Sequence, residues 1–124
     1  MKVKELLDKI GHDVYSVSPD TTVFEALRLM ADKEIGAVLV LEGKKIVGIM
    51  SERDYARKVI LQGKASKETS VKEIMSSGVV HTNPEVNVEK CLSLMMKHKF
   101  RYLPVMEQDR LVGILSIEDV RGVT

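Results

Sequence analysis

The sequence predicts an α+β fold, sandwich-like, in which two tandem β-α-β-β-α repeats pack sheet to sheet about a pseudo-twofold axis. Three observations carry the prediction. A seven-residue stretch occurs twice, as Gly48-Ile49-Met50-Ser51-Glu52-Arg53-Asp54 and as Gly113-Ile114-Leu115-Ser116-Ile117-Glu118-Asp119, at a shift of 65 residues (113 − 48). The same shift takes Pro19 to Pro84, Val23 to Val88, Leu27 to Leu92, Met30 to Met95, Val40 to Val105 and Val47 to Val112. An ungapped echo over about forty residues marks an internal duplication. The third observation is energetic: one such unit has a small one-sided sheet that it cannot bury alone, whereas two units can cover each other.

Residues 2–10 place Val3, Leu6, Leu7 and Ile10 at helical spacing with charges between them, a short amphipathic helix that Gly11 ends. Val14 to Val17 is extended and runs into Ser18-Pro19, where proline disfavours helix in the residue before it. Thr22 and Glu25 form a capping box. The helix behind it runs from Val23 to about Lys33, with Val23, Ala26, Leu27 and Met30 on one stripe and Gly36 as its stop. Residues 37–41 and 45–50 are apolar strands around Glu42-Gly43, a β-hairpin. Ser51 and Asp54 make a further capping box at the head of a helix from about Glu52 to Leu61, closed by Gly63. Residues 62–70 are polar and small, a linker short enough that the halves must pack together.

The second copy follows the same plan. Val71 to Met75 answers Val3 to Leu7 at a shift of 68, so the first copy carries three extra residues before its first strand. Val79 to Thr82 is the short strand before Asn83-Pro84, and Asn87 caps a helix from Val88 to about His98. Residues 102–106 and 111–115 form the hairpin around Gln108-Asp109, and a truncated last helix starts at Ser116 and runs out near Gly122. The division into repeats falls at 1–64, with the N-terminal helix, and 65–124.

The totals exclude several function classes. In 124 residues one compact module is the default, large enough for a core without staples. The formal charge is +1, from 19 basic and 18 acidic side chains, so nothing draws the chain to nucleic acid or to an anionic membrane. There is no Trp and aromatics are scarce, which removes stacking platforms for single strands. No apolar run approaches the roughly 20 residues that span a bilayer, and the charged Met1–Ile10 stretch does not read as a signal peptide. The single Cys91 excludes an internal disulfide and fits a reducing compartment, so a cytoplasmic location is expected. Cys91 aligns with Ala26 on an apolar stripe and reads as a small core residue. His12, His81 and His98 lack metal spacing, and no zinc or other metal site is expected. There is no Gly-rich phosphate loop, nucleophile elbow or catalytic carboxylate pair, so an enzyme is not expected.

The repeat resembles the cystathionine-β-synthase (CBS) domain, and the pair resembles a Bateman module. The resemblance rests on Ser18-Pro19 and Asn83-Pro84, the helix patterns after them, Arg101-Tyr102-Leu103-Pro104-Val105, and the two Gly-h-h-Ser-x-x-Asp stretches, where h is apolar. It covers nearly the whole chain. It implies a regulatory module without chemistry of its own. Such modules take an adenosine-type ligand (AMP, ADP, ATP, in some members S-adenosylmethionine or a dinucleotide such as NAD) in clefts between the repeats. It also implies a disc-like homodimer through the helices at 23–33 and 88–98, acting on a regulated protein that the sequence does not name. A ligand-free dimerisation or interaction scaffold is the rival reading.

Ser51 with Asp54, and Ser116 with Asp119, read from spacing alone as helix caps. The same geometry lets a carboxylate accept ribose hydroxyls, and the resemblance implies that role for Asp54 and Asp119. For adenine it implies Ile49 with Val79 and Val80 in the Asp54 cleft, and Ile114 with Val14 and Tyr15 in the Asp119 cleft. Each of these also suits simple core packing. For phosphate, Arg101 would serve the Asp54 cleft, where a guanidinium can fork onto phosphate oxygens, and Arg53 would lean toward the Asp119 cleft. Glu118 takes the place of Arg53 in the other copy, so the two clefts are unequal, with the Asp54 cleft the better suited to phosphate.

Overall fold

The computed structural model describes all residues 1–124. Its elements are α1 (Val3–Ile10), β1 (Ser16–Val17), α2 (Val23–Lys33), β2 (Ala37–Glu42), β3 (Lys45–Ser51) and α3 (Glu52–Tyr55), then a π-helical turn Ala56–Ile60 and a 3₁₀ turn Val71–Glu73, then α4 (Val88–His98), β4 (Tyr102–Glu107), β5 (Arg110–Ser116) and α5 (Ile117–Arg121). The class is α+β. The chain forms two compact units, residues 15–79 and residues 1–14 with 80–124.

In the 15–79 unit, β1, β2 and β3 form one sheet in that order, β1 parallel to β2 and β2 antiparallel to β3. The hairpin register pairs Leu39 with Ile49 and Val40 with Gly48, with a bulge after Val40. Val23, Ala26 and Met30 of α2 bury the predicted stripe against Val38, Val40 and Met50. The same core takes in Val59, Val71 and Ile74. Backbone bonds fasten the 65–79 stretch to the start of α2: Val23 N–H donates to Thr69 O at 2.8 Å and Val71 N–H to Thr21 O at 2.8 Å.

In the other unit, β4 and β5 form an antiparallel pair with the matching register, Val105 opposite Gly113 and Pro104 opposite Ile114. Val88, Cys91 and Met95 of α4 pack with Leu103, Val105, Leu115, Ile117 and Val120. Val3, Leu6 and Leu7 of α1 complete that core. Val3 N–H donates to Val86 O at 2.8 Å, Lys4 N–H to Pro84 O at 3.0 Å, and Val88 N–H to Met1 O at 2.9 Å.

The compact units therefore do not follow the division at 64/65. The N-terminal helix belongs by packing with residues 80–124, and residues 65–79 belong with 15–64. The reason is a demand each hairpin makes at its central glycine. A methyl on Gly113 would stand 2.7 Å from Leu7 Cδ2, and one on Gly48 would stand 2.5 Å from Met75 Sδ. Leu7 and Met75 are related by the 68-residue shift, so each bare strand is covered by the equivalent side chain.

Local departures from the sequence expectation have physical causes. Gly36 does not stop α2. Glu34 does, in the left-handed region at φ 54°, and Lys99 repeats this after α4 at φ 60°. The 52–61 helix is α only through Tyr55 and continues as a π turn, with Leu61 N–H bonded to Ala56 O at 3.1 Å. Residues 79–82 form no strand. Only Thr82 pairs, bridging in parallel to Val105. The 71–75 helix is a single 3₁₀ turn over Val71–Glu73, under a Ser70–Glu73 capping box.

Candidate functional site

Each hairpin leads straight into a capped helix start. After β3, Ser51 Oγ accepts from Asp54 N–H at 3.2 Å, while Asp54 Oδ2 accepts from Ser51 N–H at 3.0 Å and from its hydroxyl at 3.1 Å. After β5, Ser116 Oγ accepts from Asp119 N–H at 3.0 Å and Asp119 Oδ2 accepts from Ser116 N–H at 3.2 Å. At both helix starts the serine hydroxyl takes the free N–H of the aspartate, and the carboxylate, which suits the positive end of the helix, takes the N–H of the serine. The first helical residue after each cap is held alike. Glu52 N–H donates to Gly36 O at 3.1 Å, and Ile117 N–H donates to Arg101 O at 2.8 Å.

The two carboxylates differ beyond the caps. Asp54 Oδ1 accepts from Ser76 Oγ at 3.3 Å and pairs with Lys58 Nζ at 3.2 Å; the Asp54 side chain is 13% exposed. Lys58 also donates to Ile74 O at 2.9 Å, so one ammonium ties α3 to the 65–79 stretch. Ser76 reaches Asp54 because its backbone exchanges both hydrogen bonds with Ile49, at 3.0 and 2.9 Å. Asp119 has neither partner. The residue four places on is half-buried Val123, and the remaining oxygen of Asp119 is uncommitted. Lys58 was legible as the i+4 neighbour of Asp54. Ser76, 22 residues away, carried no local signal.

The other predicted residues fall as follows. Ile49 and Ile114 are half-buried at equivalent places in β3 and β5. Tyr15 is half-buried, its carbonyl accepts from Leu39 N–H at 3.2 Å, and Lys33 Nζ lies 5.3 Å from its ring centroid. Val14 and Val79 are half-buried, and Val80 is 38% exposed. Arg53 and Arg101 are exposed and form no ion pair. Ser51, Asp54, Arg53, Ile49, Tyr15 and Val79 belong to the 15–79 unit, and Ser116, Asp119, Ile114, Arg101, Val14 and Val80 to the other.

The secondary candidates resolve into structural roles. Cys91 is buried in the core with its thiol 3.6 Å from Thr82 Oγ1, and burial pushes that thiol up from its ordinary pKa. The His98 ring stacks on Phe100 at 5.4 Å between centroids. No three His, Cys, Asp or Glu side chains cluster so as to hold a metal ion. No helix is long and apolar enough to cross a membrane.

The CBS-domain family model matches residues 3–61 and again residues 71–123. The chain is 36% identical over 113 residues to the CBS domain-containing protein YhcV of Bacillus subtilis, covering 91% of this chain and 80% of that one. It is 37% identical over 106 residues to the mitochondrial CBS domain-containing protein CBSX3 of Arabidopsis thaliana, covering 82% of this chain and about half, 52%, of that longer protein. Among solved structures, a CBS-domain-containing protein of Agrobacterium tumefaciens superposes with a TM-score of 0.90 at 38% identity, covering 98% of each chain. A hexameric CBS-CP12 protein from bloom-forming cyanobacteria gives 0.89 at 28% identity, covering all of this chain and 68% of that one.

Proposed function

The chain belongs to the CBS-domain family as a tandem pair, and from that premise we propose that it is a regulatory module, not an enzyme, that binds an adenosine-type ligand: AMP, ADP or ATP. The observation that carries this reading is the duplicated cap. Each copy sets a carboxylate at a helix start whose cap comes two residues after a half-buried strand isoleucine, Ile49 or Ile114. That is the pairing of a diol acceptor with an apolar wall that a nucleoside needs. Asp54 and Asp119 take the ribose hydroxyls, with Ser51 and Ser116 holding each carboxylate in place. Ile49 with Val79 and Val80, and Ile114 with Val14 and Tyr15, flank adenine. Lys58 joins Arg101 and Arg53 as the cations available to phosphate.

Isothermal calorimetry with AMP, ATP, NAD and S-adenosylmethionine tests the reading. Saturable heat with AMP or ATP at micromolar to millimolar concentration supports it, and no heat with any of the four at millimolar concentration overturns it. The module acts as a homodimer in the cytoplasm and passes the bound state to a partner protein. The hexameric relative supports association of such modules.

One observation favours the rival reading. Both oxygens of Asp54 are already engaged, by Ser51, Ser76 and Lys58, as a purely structural cap would be. A ligand-free scaffold follows if neither aspartate changes any binding heat when it is replaced by Asn.

A further inference from the structure

The Asp54 carboxylate has its acceptor capacity filled from within its own unit. A carboxylate offers about four lone-pair positions, two on each oxygen. Oδ2 accepts from the Ser51 N–H at 3.0 Å and from the Ser51 hydroxyl at 3.1 Å. Oδ1 accepts from the Ser76 hydroxyl at 3.3 Å and pairs with the Lys58 ammonium at 3.2 Å. A sugar diol that reaches Asp54 must displace one of these donors. The Ser51 bonds are the helix cap, and Lys58 brings a charge. Ser76 brings a neutral hydroxyl, at the longest of the four distances, from an exposed residue. It is also the same kind of donor as a ribose hydroxyl, so one O–H can replace the other on Oδ1 while the cap and the ion pair stay.

The backbone delivers this hydroxyl. Ser76 and Ile49 exchange hydrogen bonds at 3.0 and 2.9 Å, and Met75 lies over Gly48, where an added methyl would stand 2.5 Å from its Sδ. A donor already fixed by its backbone loses little further freedom in making the bond. The other copy has no equivalent. The 68-residue shift that takes Leu7 to Met75 takes Asp8 to Ser76. An ionised carboxylate has no proton to donate, and Asp8 bonds instead to the His12 ring at 2.9 Å. The place of Lys58 is taken by Val123.

We infer that Ser76 is an internal competitor for the ligand at Asp54: its hydroxyl holds the position on Oδ1 that a ribose hydroxyl takes, which weakens that site and leaves the Asp119 site untouched. The inference rests on the reading that both aspartates take ribose hydroxyls, and it adds the residue that sets the affinity of one of them. Ser76 lies outside both copies of the seven-residue stretch, so the duplication has been made unequal from a neighbouring segment. A polar side chain at the site then opposes binding, whereas a residue that merely orients Asp54 would favour it. Because the Ser76 side chain is exposed and its backbone bonds do not depend on it, alanine there keeps the fold.

Calorimetry with AMP on the full chain tests the competition, in a D119N background that reports the Asp54 site and in a D54N background that reports the Asp119 site. In the first, Ser76→Ala tightens AMP about three- to tenfold, the worth of one hydrogen bond no longer surrendered. In the second, the same substitution leaves AMP within about twofold. Ser76→Thr keeps the hydroxyl and does not reproduce the gain. With 2′,3′-dideoxy-AMP, which has no sugar hydroxyl to exchange, Ser76→Ala gains nothing. Circular dichroism checks that each variant is folded. AMP binding by S76A/D119N that is no tighter than by D119N, or an equal gain from Ser76→Thr or with the dideoxy nucleotide, overturns the competition and leaves the ribose reading standing if the wild type binds AMP. A wild type that takes no AMP at millimolar concentration overturns the ribose reading itself.

Discussion

Leu7 lies on Gly113 so closely that a single added methyl would meet its Cδ2 at 2.7 Å. The contact explains why a glycine interrupts β5, where β-branched residues would otherwise be favoured, and why α1 packs with residues 80–124. Overpacking at such a site costs about 1–3 kcal/mol. Gly113→Ala is expected to destabilise by that much in urea unfolding. Leu7→Ala leaves a cavity and costs about 2–5 kcal/mol alone. The double variant should be less destabilised than the sum, by about 1 kcal/mol or more, because each change relieves the other. Strict additivity would mean that the two side chains do not share this space.

Glu34 and Lys99 close α2 and α4 in the left-handed region, where a Cβ is unfavourable by roughly 1–2 kcal/mol. Glycine adopts that conformation without the clash, although it loses more freedom on folding. Lys99→Gly and Glu34→Gly are each expected to raise stability by a few tenths to about 1 kcal/mol, read as a higher denaturation midpoint at unchanged slope. A drop in midpoint at both positions would show that the side chains do more than cap the helix.

These caps also mark where the sequence could be read and where it could not. Ser51–Asp54, Ser116–Asp119 and Asn87 were legible because a cap is settled within one turn of chain. The hairpins were legible because their alternation and turns are local as well. The end of α2 at Lys33 was legible, but its left-handed cap was assigned to Gly36, the usual residue type for that conformation, and it is Glu34 that takes it. The destination of α1 was not legible: its apolar stripe fits any core of the right width, and only the space above Gly113 selects one. Ser76 was missed for the same reason, since its place beside Asp54 depends on a backbone pairing with Ile49. The π turn at 56–60 has no proline or glycine to announce it.

Glu85 ties α1 to the start of the 80–124 segment, with Lys2 Nζ at 3.0 Å and Lys4 Nζ at 3.1 Å. Hydrogen bonds from Lys2 and then Lys4 hold its carboxyl below the usual glutamate range. A depressed carboxyl adds stability that is present above the unfolded pKa, about 4.3, and lost as pH falls through the folded value. Amide exchange in α1 should therefore accelerate relative to the rest of that unit as pH falls below about 4.3. Glu85→Gln should remove that extra acceleration. The effect is small and fades in high salt, since the pairs are exposed. Equal pH sensitivity of α1 in the Gln variant would refute the assignment.

Cys91 is 1% exposed, and burial raises its thiol pKa. Thiolate is the reactive form, so iodoacetamide should modify the native chain far more slowly than the urea-unfolded chain at pH 8. The sign for stability follows from the raised pKa. The contribution is complete below the unfolded value, about 8.5, and is lost as pH rises through it toward the folded one. Cys91→Ala should flatten the alkaline limb of the stability curve while costing a cavity. Rapid native-state labelling would place the thiol at the surface.

Lys58 separates the two readings of the Asp54 cap. If Asp54 serves ribose, its carboxylate must share its hydrogen-bonding capacity among Ser51, Ser76, Lys58 and the diol. Hydrogen bonds to a charged group contribute about 1.5–3 kcal/mol, so Asp54→Asn and Asp119→Asn should each weaken nucleotide binding at their own site roughly ten- to a hundredfold. Lys58→Met removes the competing ammonium. As an ion pair with a partly exposed lysine it contributes only a few tenths of a kcal/mol to stability. AMP, ADP and ATP distinguish the outcomes. If Lys58 serves phosphate, Lys58→Met weakens ATP more than AMP. If it only anchors Asp54, all three weaken alike or not at all. Binding that is untouched by Asp54→Asn, Asp119→Asn and Lys58→Met together would leave the caps as structure alone.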